Sequence, residues 1–234
     1  MATTVSEIIS QALIFIDDVR LTELLQTSSA RFYRKLSQYV ETAIPLMNRP
    51  PELYTYISKG YVESTYTSAS WTSTDESMTE QTVVPTGALN YDLCSVTLRS
   101  EDGLYETPYS DFRYDAETGN VTFNIQESAG LEYEIDFYKD GELPDLTLAM
   151  KRLMALGVTS VWNDRFNNDW LSMHPKIKDA SFDTVNEANY VEKMTIRLGV
   201  LKEAFASELH KYEQDVAYNR IIPSVYKLSP TELI

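Results

Sequence analysis

A chain of 234 residues with 43% hydrophobic and 24% charged side chains has enough apolar material for one large domain or two modest ones. Its formal net charge of −15 is spread along the chain; such a surface disfavours gripping a phosphate backbone by counterion release, though DNA can slide past it and the acids also favour solubility. No apolar run reaches the length of a membrane span, and Glu7, Asp17 and Asp18 stand where a signal peptide would carry Lys or Arg, so neither a spanning segment nor export through such a peptide is expected.

Thr4-Val-Ser-Glu7 has the spacing of a capping box, and Val5, Ile8, Ile9, Ala12, Leu13 and Ile16 then share one face of a helix ending near Asp17. A second helix is expected from Thr22, with Leu25, Ser29, Phe32, Leu36, Val40 and Ala43 on its apolar stripe and Pro45, then Pro50-Pro51, at its end.

After the prolines the pattern changes to period two. Tyr54, Tyr56 and Ile57 open a tyrosine- and threonine-rich stretch typical of half-exposed strands, and Leu53 to Tyr138 is expected to be strand-rich. Ser64 to Thr82 is almost all Ser, Thr and acids around Trp71 and Met78, which predicts an exposed loop or long hairpin tip with Trp71 as a candidate exposed contact. Strand signals return at Thr82-Val-Val-Pro85 and Leu93 to Leu98, and Asp102-Gly103 offers hairpin-turn chemistry. Cys94, the one cysteine, falls in this apolar pattern and reads as a small buried side chain. Tyr114-Asp-Ala-Glu-Thr-Gly-Asn120 is the clearest turn, with Gly119 free to turn left-handed before Val121, Phe123 and Ile125 alternate; Tyr133, Ile135 and Phe137 continue the pattern. Six to eight such strands predict a small sandwich or barrel.

Pro144-Asp145 returns the chain to helix, with Leu146, Ala149, Met150, Leu153 and Val161 on the expected buried side. Phe166 to Ser181 reads as an irregular connector. Thr184-Val-Asn-Glu187 opens a last, long helix from Val185 to about Tyr218, whose apolar residues Val191, Met194, Leu198, Leu201, Phe205, Tyr212 and Val216 recur mainly at spacings of three and four. At 1.5 Å per residue it would be about 50 Å long, more than a domain of this size usually buries. From Asn219 to Ile234 the chain carries Pro223 and Pro230 among Ile221, Ile222, Val225, Tyr226 and Leu228, which fits equally an apolar docking extension and a frayed terminus.

The expected fold is therefore α+β. A helical bundle is built from residues 1–50 and 144–218, an antiparallel β-sandwich or barrel is inserted at 51–143, and an extended tail covers 219–234.

Little here reads as chemistry. His174 and His210 lack a Cys or second His at metal-ligand spacing; Asp115, Glu117 and Asn120 are explained by their turn; the eight glycines form no phosphate-cradling loop. Asp17-Asp18, Glu101-Asp102 and Asp140 with Glu142 sit at element boundaries, where acids serve as caps and turns. Tyr54, Tyr56, Tyr61, Tyr66 and Trp71 could stack a sugar or a base, but strand aromatics more often pack a sheet. The expectation is a protein with no catalytic residue, cofactor or metal.

The layout resembles the head-to-tail adaptor proteins of tailed bacteriophages, also called connector or neck ring proteins. Four stretches carry the resemblance: the opening Thr-Thr-Val-Ser-Glu-Ile-Ile-Ser-Gln-Ala-Leu helix, the strand insertion, the return through Asp136-Phe-Tyr-Lys-Asp-Gly-Glu-Leu-Pro144 into a helix containing Trp162, and the long final helix with its tail. The resemblance implies a structural virion protein forming a ring, usually of twelve copies, beneath the portal in the neck between capsid and tail. DNA would pass through the lumen without sequence-specific binding. Ile221, Ile222, Val225, Tyr226 and Leu228 would dock on the portal protein or a neighbouring subunit, and a tail or further neck-ring protein would bind below. The alternative is a tail, baseplate or fibre module that recognises a host surface glycan or protein through Trp71 and nearby tyrosines; a weaker third is a cell-wall hydrolase using an acidic pair.

Overall fold

The structure, a computed structural model, describes residues 2–16, 18–73, 81–85, 87–100, 105–123, 130–173 and 184–225. Its elements make it a mixed α+β protein with antiparallel sheets.

Strand β1 (Thr3–Thr4) leads into helix α1 (Val5–Leu13). The capping expected at Thr4 is present, its hydroxyl accepting from the Glu7 N–H at 3.3 Å, and Val5, Ile8, Ile9 and Ala12 are buried.

The single helix expected from Thr22 is two. α2 (Val19–Thr27) and α3 (Ser29–Ala43) are separated by Ser28, whose backbone is extended at φ −149° and ψ 104°. The break follows from local chemistry: the Ser28 hydroxyl accepts from the Arg31 N–H at 3.3 Å and so serves α3 as its N-cap. It also moves the stripe. Phe32, Leu36, Val40 and Ala43 are buried as expected, but Leu21 takes the buried place in α2 and Leu25 faces outward.

A larger correction concerns residues 51–60. The expected start of the strand region is helix α4 (Pro51–Gly60), so the β-rich segment begins at β2 (Thr65–Thr72). Pro51 stands at the first turn, where its fixed φ suits a helix, Glu52 and Lys59 complement the two ends, and Leu53 and Ile57, four apart, are buried. This spacing overrides the strand propensity of the tyrosines, and Tyr54 and Tyr56 are exposed. Packed beside the preceding 3-10 turn Ile44–Leu46, Leu53 and Ile57 join the same apolar cluster as α1 and α3.

β2 is a second correction, because the expected loop around Trp71 is an eight-residue strand. It is followed by β3 (Gln81–Val83), β4 (Leu93–Arg99), β5 (Glu106–Tyr109), β6 (Phe112–Asp115), β7 (Asn120–Phe123), β8 (Glu132–Lys139) and β9 (Glu142–Leu143). A four-stranded sheet runs in the order β2-β8-β4-β5, a three-stranded one β3-β7-β6, and β1 pairs with β9. The β6–β7 hairpin is as expected: Gly119 has φ +73°, and Asp115 accepts from the Glu117 N–H at 3.0 Å and the Thr118 hydroxyl at 2.7 Å. Met78, Asp102-Gly103 and Ile125 lie outside the described residues.

Helix α5 (Leu148–Met173) also corrects the sequence, since residues 166–173 are helical where a connector was expected. Ala149 is exposed, whereas Leu153, Met154, Ala155, Val158 and Trp162 are buried, and the Trp162 ring meets Tyr39 of α3 edge-on at 5.1 Å. His174 and Pro175 lie outside the described residues. Helix α6 (Thr184–Val225) has 42 residues and is about 63 Å long. It includes 219–225, the first part of the expected extended tail, and Pro223, which cannot donate a helical bond, stands within its last turn.

Two apolar clusters result. One joins α1, α3, α4 and α5 with Leu209 of α6; the other lies between the four- and three-stranded sheets, where Val96, Tyr133, Ile135 and Phe137 face Val121 and Phe123. The opposite face of the four-stranded sheet receives α3.

Candidate functional site

Strand alternation dictates what α3 meets. Tyr133, Ile135 and Phe137 point into the second cluster, so Glu132, Glu134 and Asp136 share the other face of β8. The register places Ser68 of β2 and Ser95 of β4 on either side of Asp136. The face presented to α3 is therefore polar.

Asp136 is its centre and has no solvent exposure. The Arg31 Nε of α3 lies 2.6 Å from Asp136 Oδ2, and the same guanidinium reaches Glu134 at 2.9 Å and bonds Glu106 of β5. The Tyr66 hydroxyl donates to Asp136 Oδ1, and the Ser28 hydroxyl donates to Oδ2 at 3.1 Å. Ser28 and Ser95 share a hydrogen bond of 2.7 Å, and Ser95 accepts from the Ala30 N–H at 3.3 Å. The Arg34 guanidinium lies over the Tyr66 ring at 4.1 Å. Arg99 of β4 extends the cluster to Glu134 at 2.8 Å.

The charges follow from this packing. Burial pushes the Asp136 carboxyl above its ordinary range, and Tyr66, Arg31 and Ser28 pull it only part of the way back. Burial works against the Arg31 cation, but Asp136, Glu106 and Glu134 outweigh it and hold the group charged. Burial, then the bond to Asp136, raises the Tyr66 phenol. Asp136 and Ser28 satisfy one another and are sealed from solvent, an arrangement that fastens a helix to a sheet.

This network was missed in the sequence. Its signal was present in Glu-Tyr-Glu-Ile-Asp-Phe-Tyr, where the acids alternate with apolar residues and so share a face; the arginine that covers them comes from a helix a hundred residues earlier.

Trp71 is half-buried, not an exposed loop contact. Its ring stacks on Phe123 at 4.5 Å and on Tyr133 at 5.4 Å, inside the cluster between the sheets. On the other face of β2, Ser68, Ser70 and Thr72 leave a trough of about 460 Å³ bordered by Arg99, Glu132 and Glu134.

The residues expected to dock on a partner lie at the far end of α6. Ile221, Ile222 and Val225 are helical, and Tyr226 and Leu228 lie outside the described residues. α6 is held by its middle: Arg197 donates to the Phe15 carbonyl at 3.2 Å, Lys202 pairs with Asp164 at 2.7 Å, Arg152 with Glu208 at 3.5 Å, and Phe205, Leu209 and Tyr212 join the first apolar cluster. Beyond Tyr212 the helix continues for thirteen residues, about 20 Å. Ile196 and Val200, each 59% exposed, and Tyr218, 63% exposed, stand outward.

Cys94 is partly buried, and burial, then Asp136, pushes its thiol up to about 12. Among the described residues no group of three or more His, Cys, Asp or Glu could hold a metal ion, and no helix is long and apolar enough to cross a membrane. Compared with family models, curated proteins and solved structures, the chain matches none.

Proposed function

We propose that this chain is a structural virion protein, a head-to-tail adaptor that forms a ring beneath the portal and joins capsid to tail. In this reading helices α1 to α6 form a helical bundle, the strands form an inserted antiparallel sandwich, and residues 219–234 dock on the portal or a neighbouring subunit. The observation that carries it is α6, which leaves its own cluster at Tyr212 and runs on for about 20 Å with Tyr218 exposed. An overhanging helix with outward apolar residues gains stability from a neighbour, and a closed ring supplies one to every copy. The net charge of −15 suits a lumen through which DNA passes without sticking. The reading needs no active site, and the Asp136 network, closed on itself, is compatible with that.

The glycan-binding alternative is weakened at its main residue, because the half-buried Trp71 ring is already stacked on Phe123 and Tyr133.

Native mass spectrometry of the chain, alone and mixed with a candidate portal protein from the same genome, tests the proposal. A large closed ring, or a monomer that joins the portal in matching copy number and loses this on deletion of residues 219–234, supports it. A stable trimer, or a monomer indifferent to the portal, overturns it.

A further inference from the structure

The four-stranded sheet ends in two unequal edges. β5 is four residues long and contains Pro108, a residue that blunts an edge because it cannot donate. β2 is eight residues long, Thr-Tyr-Thr-Ser-Ala-Ser-Trp-Thr, and carries no proline and no charge. Sheet edges are usually guarded by lysine, proline, a bulge or a covering segment; among the described residues no strand pairs with the outer side of β2.

Strand alternation fixes which groups face outward. The Ser73 N–H donates to the Leu131 carbonyl at 2.9 Å, toward β8, so two-residue periodicity turns the N–H and C=O groups of Thr72, Ser70, Ser68 and Tyr66 away from it. Ser68, Ser70 and Thr72 also border the trough on the polar face, where their small hydroxyl side chains leave room for an incoming strand's longer ones.

The charge beside this edge favours one kind of occupant. Arg99 is committed to Glu134, and Glu134 also to Arg31. Glu132, opposite Thr72 in the register and exposed, makes no ion pair among the described residues. We propose that the outer edge of β2 docks an extended, basic segment of another protein, which adds as a fifth strand and sends a lysine or arginine over Thr72 to Glu132. A second copy of this chain is disfavoured as the occupant, since it brings a further net charge of −15 and a β2 with no basic residue. The inference rests on the edge and its charges and stands or falls separately from the adaptor reading.

Two pools of fluorescein-labelled synthetic nonapeptides test it by fluorescence anisotropy. Both alternate Val or Thr with a charged residue, which is Lys or Arg in one pool and Glu in the other. The expected result is binding of the basic pool at least about tenfold tighter than the acidic pool, lost about tenfold in Ser70→Pro and kept in Ser70→Ala. Ser70→Pro removes one outward N–H without touching the β8 ladder, so circular dichroism should be unchanged. If that variant does not fold, Glu132→Lys decides, because an exposed charge reversal should weaken the basic pool and favour the acidic one. Equal binding to wild type and Ser70→Pro, failure of both pools to bind, or no change of preference in Glu132→Lys overturns the proposal. So does a dimer in light scattering that Ser70→Pro abolishes, which would assign the edge to a second copy.

Discussion

Replacing Arg31 with methionine tests whether the helix-to-sheet joint is electrostatic. Methionine keeps most of the aliphatic volume and removes the guanidinium, leaving Asp136 with no exposure and no cation. Breaking a buried pair from one side usually costs about 3–5 kcal/mol. Two features put this case near 3 kcal/mol: Tyr66 and Ser28 still donate to the carboxylate, and the arginine side chain is 21% exposed, so its bond to Glu106 and its ion pair with Glu134, both partly exposed, add little. In a chain of this size that is a fall in Tm of roughly 6–12 °C. The effect should depend on pH with a definite sign. Asp136 already holds its proton above the ordinary carboxylate range, so its contribution favours the folded state at low pH and weakens as pH rises from the unfolded value, near 3.8, through the folded one. Without Arg31 the folded value moves higher still, so the deficit of the variant should be small near pH 4 and grow toward pH 7. Adding Asp136→Asn should recover at least 1 kcal/mol, since no buried charge is then left unpaired. Urea unfolding of wild type, Arg31→Met, Asp136→Asn and the double variant at pH 4 and 7 measures all of this. A deficit below 1 kcal/mol at pH 7, or one independent of pH, would refute the argument that a buried ion pair holds α3 to the sheet.

Three further outcomes follow from single residues. Cys94, with its thiol at about 12, should react with iodoacetamide at pH 8.5 at least about a hundredfold more slowly than in urea; a native rate rising with a midpoint near 9 would contradict the burial. Tyr61 is pushed up to about 12 by burial, then Glu41 and Glu63, so its share of stability is complete below pH 10 and is lost as pH rises from there to 12; phenolate absorbance and far-ultraviolet dichroism followed together would show the helical signal failing in that window. Leu209→Ala, which empties the buried contact of α6 with the first cluster, should cost about 2–4 kcal/mol and speed hydrogen exchange in α6 before exchange in α1 or α3; uniform exchange would show that α6 is held elsewhere.

The parts legible in the sequence are those whose cause is local. The Thr4 cap, the α1 face and the Gly119 turn each depend on residues within one turn of chain, and each is present. The misread parts depend on competition or distance. At Tyr54 and Tyr56 strand propensity competed with the Pro51, Leu53 and Ile57 spacing, and burial against the first cluster decided for helix. Ser28 falls within the single helix expected from Thr22, and its task of donating to Asp136 across the interface is invisible without the sheet. Trp71 sat among hydroxyl residues that resemble a loop, yet a strand with one small polar face and one aromatic face has the same composition.

The two interfaces of the helical part differ in kind, and the difference bears on assembly. α6 meets its own chain through Phe205, Leu209 and Tyr212 and through polar contacts at exposed side chains, Arg197 to Phe15, Lys202 to Asp164 and Arg152 to Glu208, whereas α3 meets the sheet through Arg31 and Ser28 converging on the buried Asp136, which fixes orientation as well as distance. A sheet oriented by Arg31, Ser28 and the Arg34–Tyr66 contact keeps its open β2 edge at a defined angle to α3. Among the described side chains, α6 is held between Arg197 and Tyr212. On the adaptor reading proposed above, that division would give the strand edge a fixed orientation and leave the stretch of α6 beyond Tyr212 for a neighbouring subunit to cover.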